Sequence, residues 1–264
     1  MKIGYTAPLE MADTLAEAGY DYVEPLIARF GLADAASLEA AKRSVSRARL
    51  PTLSFGLFFP GDMRLVGPAL DPPRVKSYLA RVAELMSHAG ADVAVMGSAA
   101  ARNVPEGFDR ARAKDQLLEA YSWAADAFEG SGTVIAIEPQ NRKETNIIRS
   151  LPEAVWFAEQ VDRPELRVVA DSYHMDEEQE PLQHLATYAD WIVHVQLADT
   201  GRKRPGSGSF DYGTFSGHLA TSGYAGHIAV EIPGKFSVSE LRESCRFLRI
   251  EGPTSCRPGH PQVA

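Results

Sequence analysis

The chain has 264 residues, of which 45% are hydrophobic and 23% charged, with a formal net charge of −8. That length suits one large α/β barrel whose core needs no disulfide support, and the acidic balance argues against a nucleic-acid partner, which favours a basic face. Cys245 and Cys256 lack CxxC spacing, the N-terminal MKIGYTAP lacks the apolar core of a leader, and no run approaches the ~18 apolar residues of a membrane span, so a cytoplasmic protein with no membrane partner is expected.

In chain order, Lys2–Thr6 reads as a first strand and Pro8–Ala18 as a helix, with Pro early and Gly19 just past the end. Asp21–Glu24 is a short second strand, Ala35–Ala48 an Ala/Arg-rich helix and Thr52–Phe58 a third strand. Phe59–Asp71 is rich in Pro and Gly and too long for a plain connector, which makes it a candidate lid. A helix over Pro73–His88, a strand over Asp92–Met96, a turn at Gly97-Ser-Ala and a long helix over Phe108–Phe128 follow. The later strands fall at 134–138, 167–171, 191–197 and 227–231, with helices at 151–160, about 180–188, about 213–221 and Ser237–Arg249. Eight strands alternating with eight helices predict a single (β/α)8 barrel over residues 1–251, with 252–264 as a tail. A doubly wound sheet is disfavoured, because Tyr5-Thr-Ala-Pro follows the first strand where a Gly-rich phosphate turn would stand.

Four of the expected strands end in a side chain able to hold a metal: Glu138, Asp171, Gln196 and Glu231. The intervals of 33, 25 and 35 residues each fit one strand plus one crossover helix. Parallel strands deliver their last residues to one end of a sheet, so these four should converge. Alternation along a strand sends Ala136 with Glu138, Val169 with Asp171, His194 with Gln196 and Ala229 with Glu231. Three carboxylates at one rim repel one another, and a divalent cation would resolve this. The ligand set is all oxygen with about −3 charge, which favours Mn²⁺ or Mg²⁺ over Zn²⁺. Asp199, three residues past Gln196, competes with it for this role.

Polar companions surround the four. His174 follows Asp171 by three residues and could orient a substrate oxygen, Glu144 lies in the loop after Glu138, and Arg202 opens a basic run that could fork onto a carboxylate, hydroxyl or phosphate. Glu24 ends the second strand and is a further mouth candidate, whereas His194 reads as a core histidine. Phe55, Phe58 and Phe59 are candidate pocket walls. A cation holding two neighbouring oxygens of an α-hydroxycarbonyl would acidify the C–H between them and stabilise an ene-diolate. Glu138 and Glu231, three strands apart, could then remove and return a proton, giving epimerisation or isomerisation of a small carbohydrate or hydroxy-ketone. Loss of a β-hydroxyl from the same enolate would make the protein a lyase or dehydratase. A non-catalytic sugar-binding barrel is the third reading, and homo-oligomerisation is left open.

The ordered set Ile-Glu-Pro-Gln-Asn-Arg at 137–142, Asp-Ser-Tyr-His-Met at 171–175, His-Val-Gln-Leu-Ala-Asp at 194–199 with Arg202, Pro205-Gly-Ser-Gly208, and Val-Glu-Ile-Pro at 230–233 resembles the xylose-isomerase-like TIM barrel superfamily. Within it the chain is similar to the sugar phosphate isomerase/epimerase group, which includes ketose 3-epimerases, hydroxypyruvate isomerases and inosose dehydratases. The resemblance implies metal ligation by Glu138, Asp171, Gln196 and Glu231, with Mn²⁺, Mg²⁺ or Co²⁺ as the ion. It implies acid/base roles for the two glutamates and substrate contacts by Glu144, His174 and Arg202. Ketose 3-epimerases carry histidine where this chain has Gln196; the hydroxypyruvate-isomerase-like members carry glutamine in the same context. The histidine-rich trinuclear site of endonuclease IV has no counterpart among the seven histidines here.

Overall fold

A computed structural model describes residues 1–253. Eight parallel strands form its centre: β1 (Ile3–Thr6), β2 (Tyr22–Glu24), β3 (Ser54–Phe55), β4 (Val93–Met96), β5 (Val134–Ile137), β6 (Leu166–Asp171), β7 (Ile192–Leu197) and β8 (His227–Val230). The ladder runs β2-β1-β8-β7-β6-β5-β4-β3. Its two ends meet through a parallel bridge between Leu26 and Gly56, flanked by Ile27 N–H to Gly56 O at 2.9 Å and Gly56 N–H to Pro25 O at 3.0 Å. The expected (β/α)8 architecture is therefore the one observed.

Helices α1 (Ala12–Ala18), α2 (Ala35–Arg47), α3 (Pro72–Ala89), α4 (Ala99–Arg102), α5 (Arg110–Phe128), α6 (Leu151–Val161), α7 (Ser172–Glu178), α8 (His184–Thr187), α9 (Tyr212–Thr221) and α10 (Val238–Ile250) lie between and after the strands. Their ends follow local chemistry. Asp71 caps α3 by accepting from Arg74 N–H, with Pro72 at the first helical position. Ser237 and Glu240 form a reciprocal capping box at α10. No helix among the described residues is long and apolar enough to cross a membrane.

Side-chain parity divides the strands into two layers. Ala94 and Met96, Ile135 and Ile137, Val168 and Ala170, Val195 and Leu197, and Ile228 and Val230 belong to the large core shared with the helices. The opposite parity forms a small cluster of Val93, Val95, Ala136 and Val169. Glu138 lies two residues beyond Ala136 and Asp171 two beyond Val169, so each continues the inner row upward. Register places Asp171 opposite Gln196, while Glu231 N–H bonds Leu197 O at 3.0 Å just above.

Several elements differ from expectation. The expected helix at Pro8–Ala18 begins as a 3-10 turn, Leu9–Met11, because Pro8 itself is extended (ψ 149°). The third strand shrinks to Ser54–Phe55, since Leu57 at φ +40° breaks the extended run. Ser172–Glu178 is helical where a connector is expected, and the helix expected near 180–188 is one turn, His184–Thr187. The segment 59–71 is tied down rather than free to act as a lid: Phe59, Met63, Leu65 and Val66 are buried, and Leu65 N–H bonds Ala101 O at 2.7 Å. Phe58 stacks toward Tyr78 and Phe128, and it joins Phe55 and Phe59 in the core behind the strands rather than walling a pocket. Cys245 is a buried free thiol. Residues 254–264, most of the expected tail, and Cys256 lie outside the described residues.

The α10 cap provides a test of this local reasoning. Ser237→Ala removes the hydroxyl that accepts from Glu240 N–H, and should cost about 1 kcal/mol, a fall of about 2–4 °C in melting temperature by circular dichroism. An unchanged melting temperature would show that packing alone sets this helix start.

Candidate active site and metal centre

Asp171 ends β6 and caps α7. Its Oδ1 accepts from Tyr173 N–H at 2.7 Å and His174 N–H at 3.1 Å, leaving Oδ2 for other partners. A helix thus starts on the strand's last residue, and its first turn carries His174 back over the barrel mouth. There Asn141 N–H and Asn141 Nδ2 both approach His174 Nδ1, at 3.1 and 2.9 Å. A backbone N–H needs a lone pair on Nδ1, so these contacts hold the ring as its Nε2–H tautomer. His174 Nε2 then lies 3.2 Å from Glu138 Oε1.

Glu138 directly follows β5. Arg102, buried at the end of α4, donates to Glu138 O at 2.6 Å and to Gln140 Oε1 at 3.1 Å, which fixes the backbone that carries the carboxylate. Gly97 faces Glu138 from the neighbouring strand end. A Cβ there would overlap Glu138 Oε2, so only glycine lets the carboxylate fold across the rim.

Glu231 follows β8. Arg202 Nη2 stands 3.5 Å from its Oε2, while Arg202 Nη1 donates to Glu144 Oε1 at 3.2 Å. The guanidinium also lies 4.9 Å from the centre of the Tyr173 ring, a cation–π contact. The loop carrying Arg202 is organised by Asp199, whose carboxylate accepts from the N–H groups of Thr200, Gly206 and Phe210 at 2.9–3.0 Å. A Cβ at Gly208 would collide with that carboxylate. Asp199 is thus committed to the loop, and Gln196 has no competitor there.

Gln196, at the end of β7, donates from Nε2 to Glu24 Oε1 at 2.8 Å. Glu24 does not open onto the mouth. It is fully buried beneath the rim, and it also accepts from Thr6 Oγ1 (2.8 Å), Ser54 Oγ and His194 Nε2 (2.7 Å). His194 is a core histidine with a defined acidic partner.

Asp171 stands opposite Gln196 and shares one cluster with Glu138, while Glu231 lies outside that cluster. Three buried oxygens at the strand ends lack a well-formed hydrogen bond: Gln196 Oε1, and Glu138 Oε1 and Glu231 Oε2, which have only the approaches of His174 Nε2 and Arg202 Nη2. Buried oxygens left unpaired are costly. Burial pushes the Glu138 carboxyl above its ordinary value, with the Asp171 charge adding to this against the pull of His174. Burial, then the Glu138 and Asp171 charges, push Glu231 up further than Arg202 can offset. Burial pulls His174 down, but Asp171, Glu138 and Glu144 outweigh it and lift it to about 9. That lift favours the imidazolium, whereas protonating Nδ1 would expel the Asn141 N–H; the hydrogen bonding supports the neutral ring, the form that the acceptor geometry at Nδ1 requires. Glu24 behaves oppositely: burial would raise it, but His194, Ser54 and Thr6 hold it below the usual carboxylate range. Ligand-capable atoms of Glu138, Asp171 and His174 lie within 4.8 Å of one another; with Nδ1 of His174 taken by Asn141 and Nε2 protonated, the two carboxylates are the members of this group left to hold an ion. The orphaned oxygens and the all-oxygen donor set at the four strand ends fit a hard divalent cation.

Arg102 carried no sequence signal, and Asn141 and Tyr173 stood in the motifs at 137–142 and 171–175 without a role of their own. Arg102 stands in an alanine-rich turn, Asn141 is one polar residue among several in its loop, and Tyr173 reads as an ordinary helix aromatic. Only their contacts single them out.

A fold of this kind with an acidic rim defines a barrel enzyme scaffold whose strand ends hold the chemistry. The chain belongs to the xylose isomerase-like TIM barrel family, whose model matches residues 12–251. It is 32% identical over 122 residues to the 3-dehydro-D-guloside 4-epimerase of Escherichia coli, spanning 45% of this chain and 47% of that one. It is 28% identical over 220 residues to the ketose 3-epimerase of Arthrobacter globiformis, spanning 81% of this chain and 74% of that one. The crystal structure of the E. coli 3-keto-D-glucoside 4-epimerase superposes with a TM-score of 0.80 at 22% identity, covering 94% of this chain and 99% of that one.

Two outcomes test the site. Gly97→Ala should leave a folded protein whose Glu138 is displaced, with at least about a tenfold loss of whatever turnover the site supports; unchanged kinetics would mean that Glu138 is not held where it acts. The second concerns pH. Glu138 and Glu231 release their protons later in the folded chain than at the ordinary 4.5, so the native state holds protons that the unfolded chain has lost. Their contribution is greatest below that value and declines as pH rises through the raised native values. Urea midpoints of the metal-free protein should therefore fall from about pH 5 to about pH 8. A flat profile would argue against buried repulsion at the rim.

Proposed function

We propose that this protein is a divalent-metal-dependent epimerase or isomerase of a keto-sugar or small hydroxy-ketone. The observation that carries the reading is the buried cluster of Glu138 and Asp171 beside Gln196, whose Oε1 has no hydrogen-bond partner. Those three side chains and Glu231 would hold the ion, with Mn²⁺ or Mg²⁺ favoured by the all-oxygen donors and Co²⁺ admitted. When bound, such an ion would grip the carbonyl oxygen and the neighbouring hydroxyl of the substrate and draw electron density from the C–H between them.

Glu138 and Glu231 stand on β5 and β8 with Asp171 and Gln196 between them, so a substrate in the mouth would be flanked on two sides. One carboxylate removes the proton next to the carbonyl, and the electron pair of the C–H bond becomes the enediolate. The other returns a proton to the opposite face of the same carbon, which inverts it, or to the adjacent carbon, which moves the carbonyl. His174, through Nε2–H, and Arg202, between Glu231 and Glu144, are suited to donate to substrate oxygens. The chemistry of the named relatives is consistent with this. A 3-dehydro sugar epimerised at C4 and a ketose epimerised at C3 each exchange a proton one carbon from the carbonyl. Cysteine usage suits a cytosolic setting for such an enzyme.

The test is a panel of 3-keto-glycosides and ketoses incubated in D₂O with Mn²⁺. Deuterium should enter at the carbon beside the carbonyl with the carbon skeleton and oxygens retained; loss of water or of an aglycone would instead mark a lyase. Glu231→Gln should remain folded while exchange and turnover fall by about 10²–10⁴-fold. Near-normal rates in that variant would remove Glu231 from the proton path.

A further inference from the structure

Beneath the rim, Glu24 joins four strands. Its Oε1 accepts from Thr6 on β1 and Gln196 on β7, and its Oε2 from Ser54 on β3 and His194 on β7, while Glu24 itself ends β2. A carboxylate offers about four acceptor sites and no donor, so all of its capacity is taken. The consequence falls on Gln196. Only the NH₂ end of an amide can face an acceptor-only group, so Oε1 is turned away from that hydrogen bond, and it has no partner.

We infer that Glu24 is a positioning residue that dictates the chemistry of position 196. It requires a side chain there with a hydrogen-bond donor at its lower edge, and it aims the remaining oxygen at the ion. This rests on the metal site proposed above and adds to it a reason why one ligand is neutral. A carboxylate at position 196 would be the stronger oxygen donor for a hard cation. Above Glu24, however, it would set two buried carboxylates at hydrogen-bond distance with no donor between them. The neutral amide therefore follows from the charge already buried below it.

The test is the affinity of chelator-stripped protein for Mn²⁺ alone, measured by calorimetry. Gln196→Glu should weaken Mn²⁺ binding by at least about tenfold, although it installs a carboxylate. The exchanged pair Glu24→Gln with Gln196→Glu should recover to within about threefold of the parent. In that pair the amide moved to the lower position can donate to the carboxylate moved to the rim, while its oxygen accepts from His194 and Ser54. Glu24→Gln alone should weaken binding by about 10–100-fold, since an amide below lets Gln196 adopt either orientation. A merely structural role for Glu24 would not make the second change repair the first. Mn²⁺ affinity in Gln196→Glu equal to or above the parent overturns the inference, as does an exchanged pair no better than Gln196→Glu. If Gln196→Glu does not fold, unchanged affinity in Glu24→Gln overturns it instead. A parent protein that binds no Mn²⁺ or Mg²⁺ would remove the proposed metal site itself, and with it this inference. Binding in the parent with failure of the exchange removes the inference alone.

Discussion

Repulsion among Glu138, Asp171 and Glu231 is the constraint around which the barrel mouth is arranged. Parallel strands in register put these carboxylates side by side whether or not that is favourable, and burial magnifies the cost. Each is restrained by a different means. Asp171 spends one oxygen on the first turn of α7. Glu138 is approached by the His174 ring and has its carbonyl gripped by Arg102. Glu231 faces the Arg202 guanidinium. None of these contacts saturates the carboxylates.

The supporting layer is as specific as the rim. Asn141 fixes the tautomer of His174, Asp199 shapes the loop that delivers Arg202, and Gly97 yields the space into which Glu138 folds. Such contacts determine whether side chains are aimed or merely near one another, and mechanisms that move protons over short distances depend on that difference.

The inner and outer faces of the strands are legible in the amino-acid sequence because the runs before Glu138, Asp171, Gln196 and Glu231 are short, apolar and regularly spaced. The same pattern locates the rim itself. Helix α7 is not legible, since Asp171 serves as both strand end and helix cap and its sequence carries only one of those roles openly. Glu24 looks like a mouth residue in the sequence because strand-end position says nothing of height. Its depth follows from the two donors on β7, partners about 170 residues away. Arg102 and Asn141 escape notice for the same reason: their significance lies in long-range contacts, for which a single chain carries no local pattern.

The junction of β2 and β3 is where the barrel has its least backbone pairing, a single bridge with flanking bonds instead of a ladder. Glu24 and Ser54 sit on its two sides and are joined directly. The carboxylate therefore acts as a cross-brace through the lumen, tying the seam to β1 and to β7 on the far side of the ring. Barrel closure and the orientation of the Gln196 amide thus share one side chain.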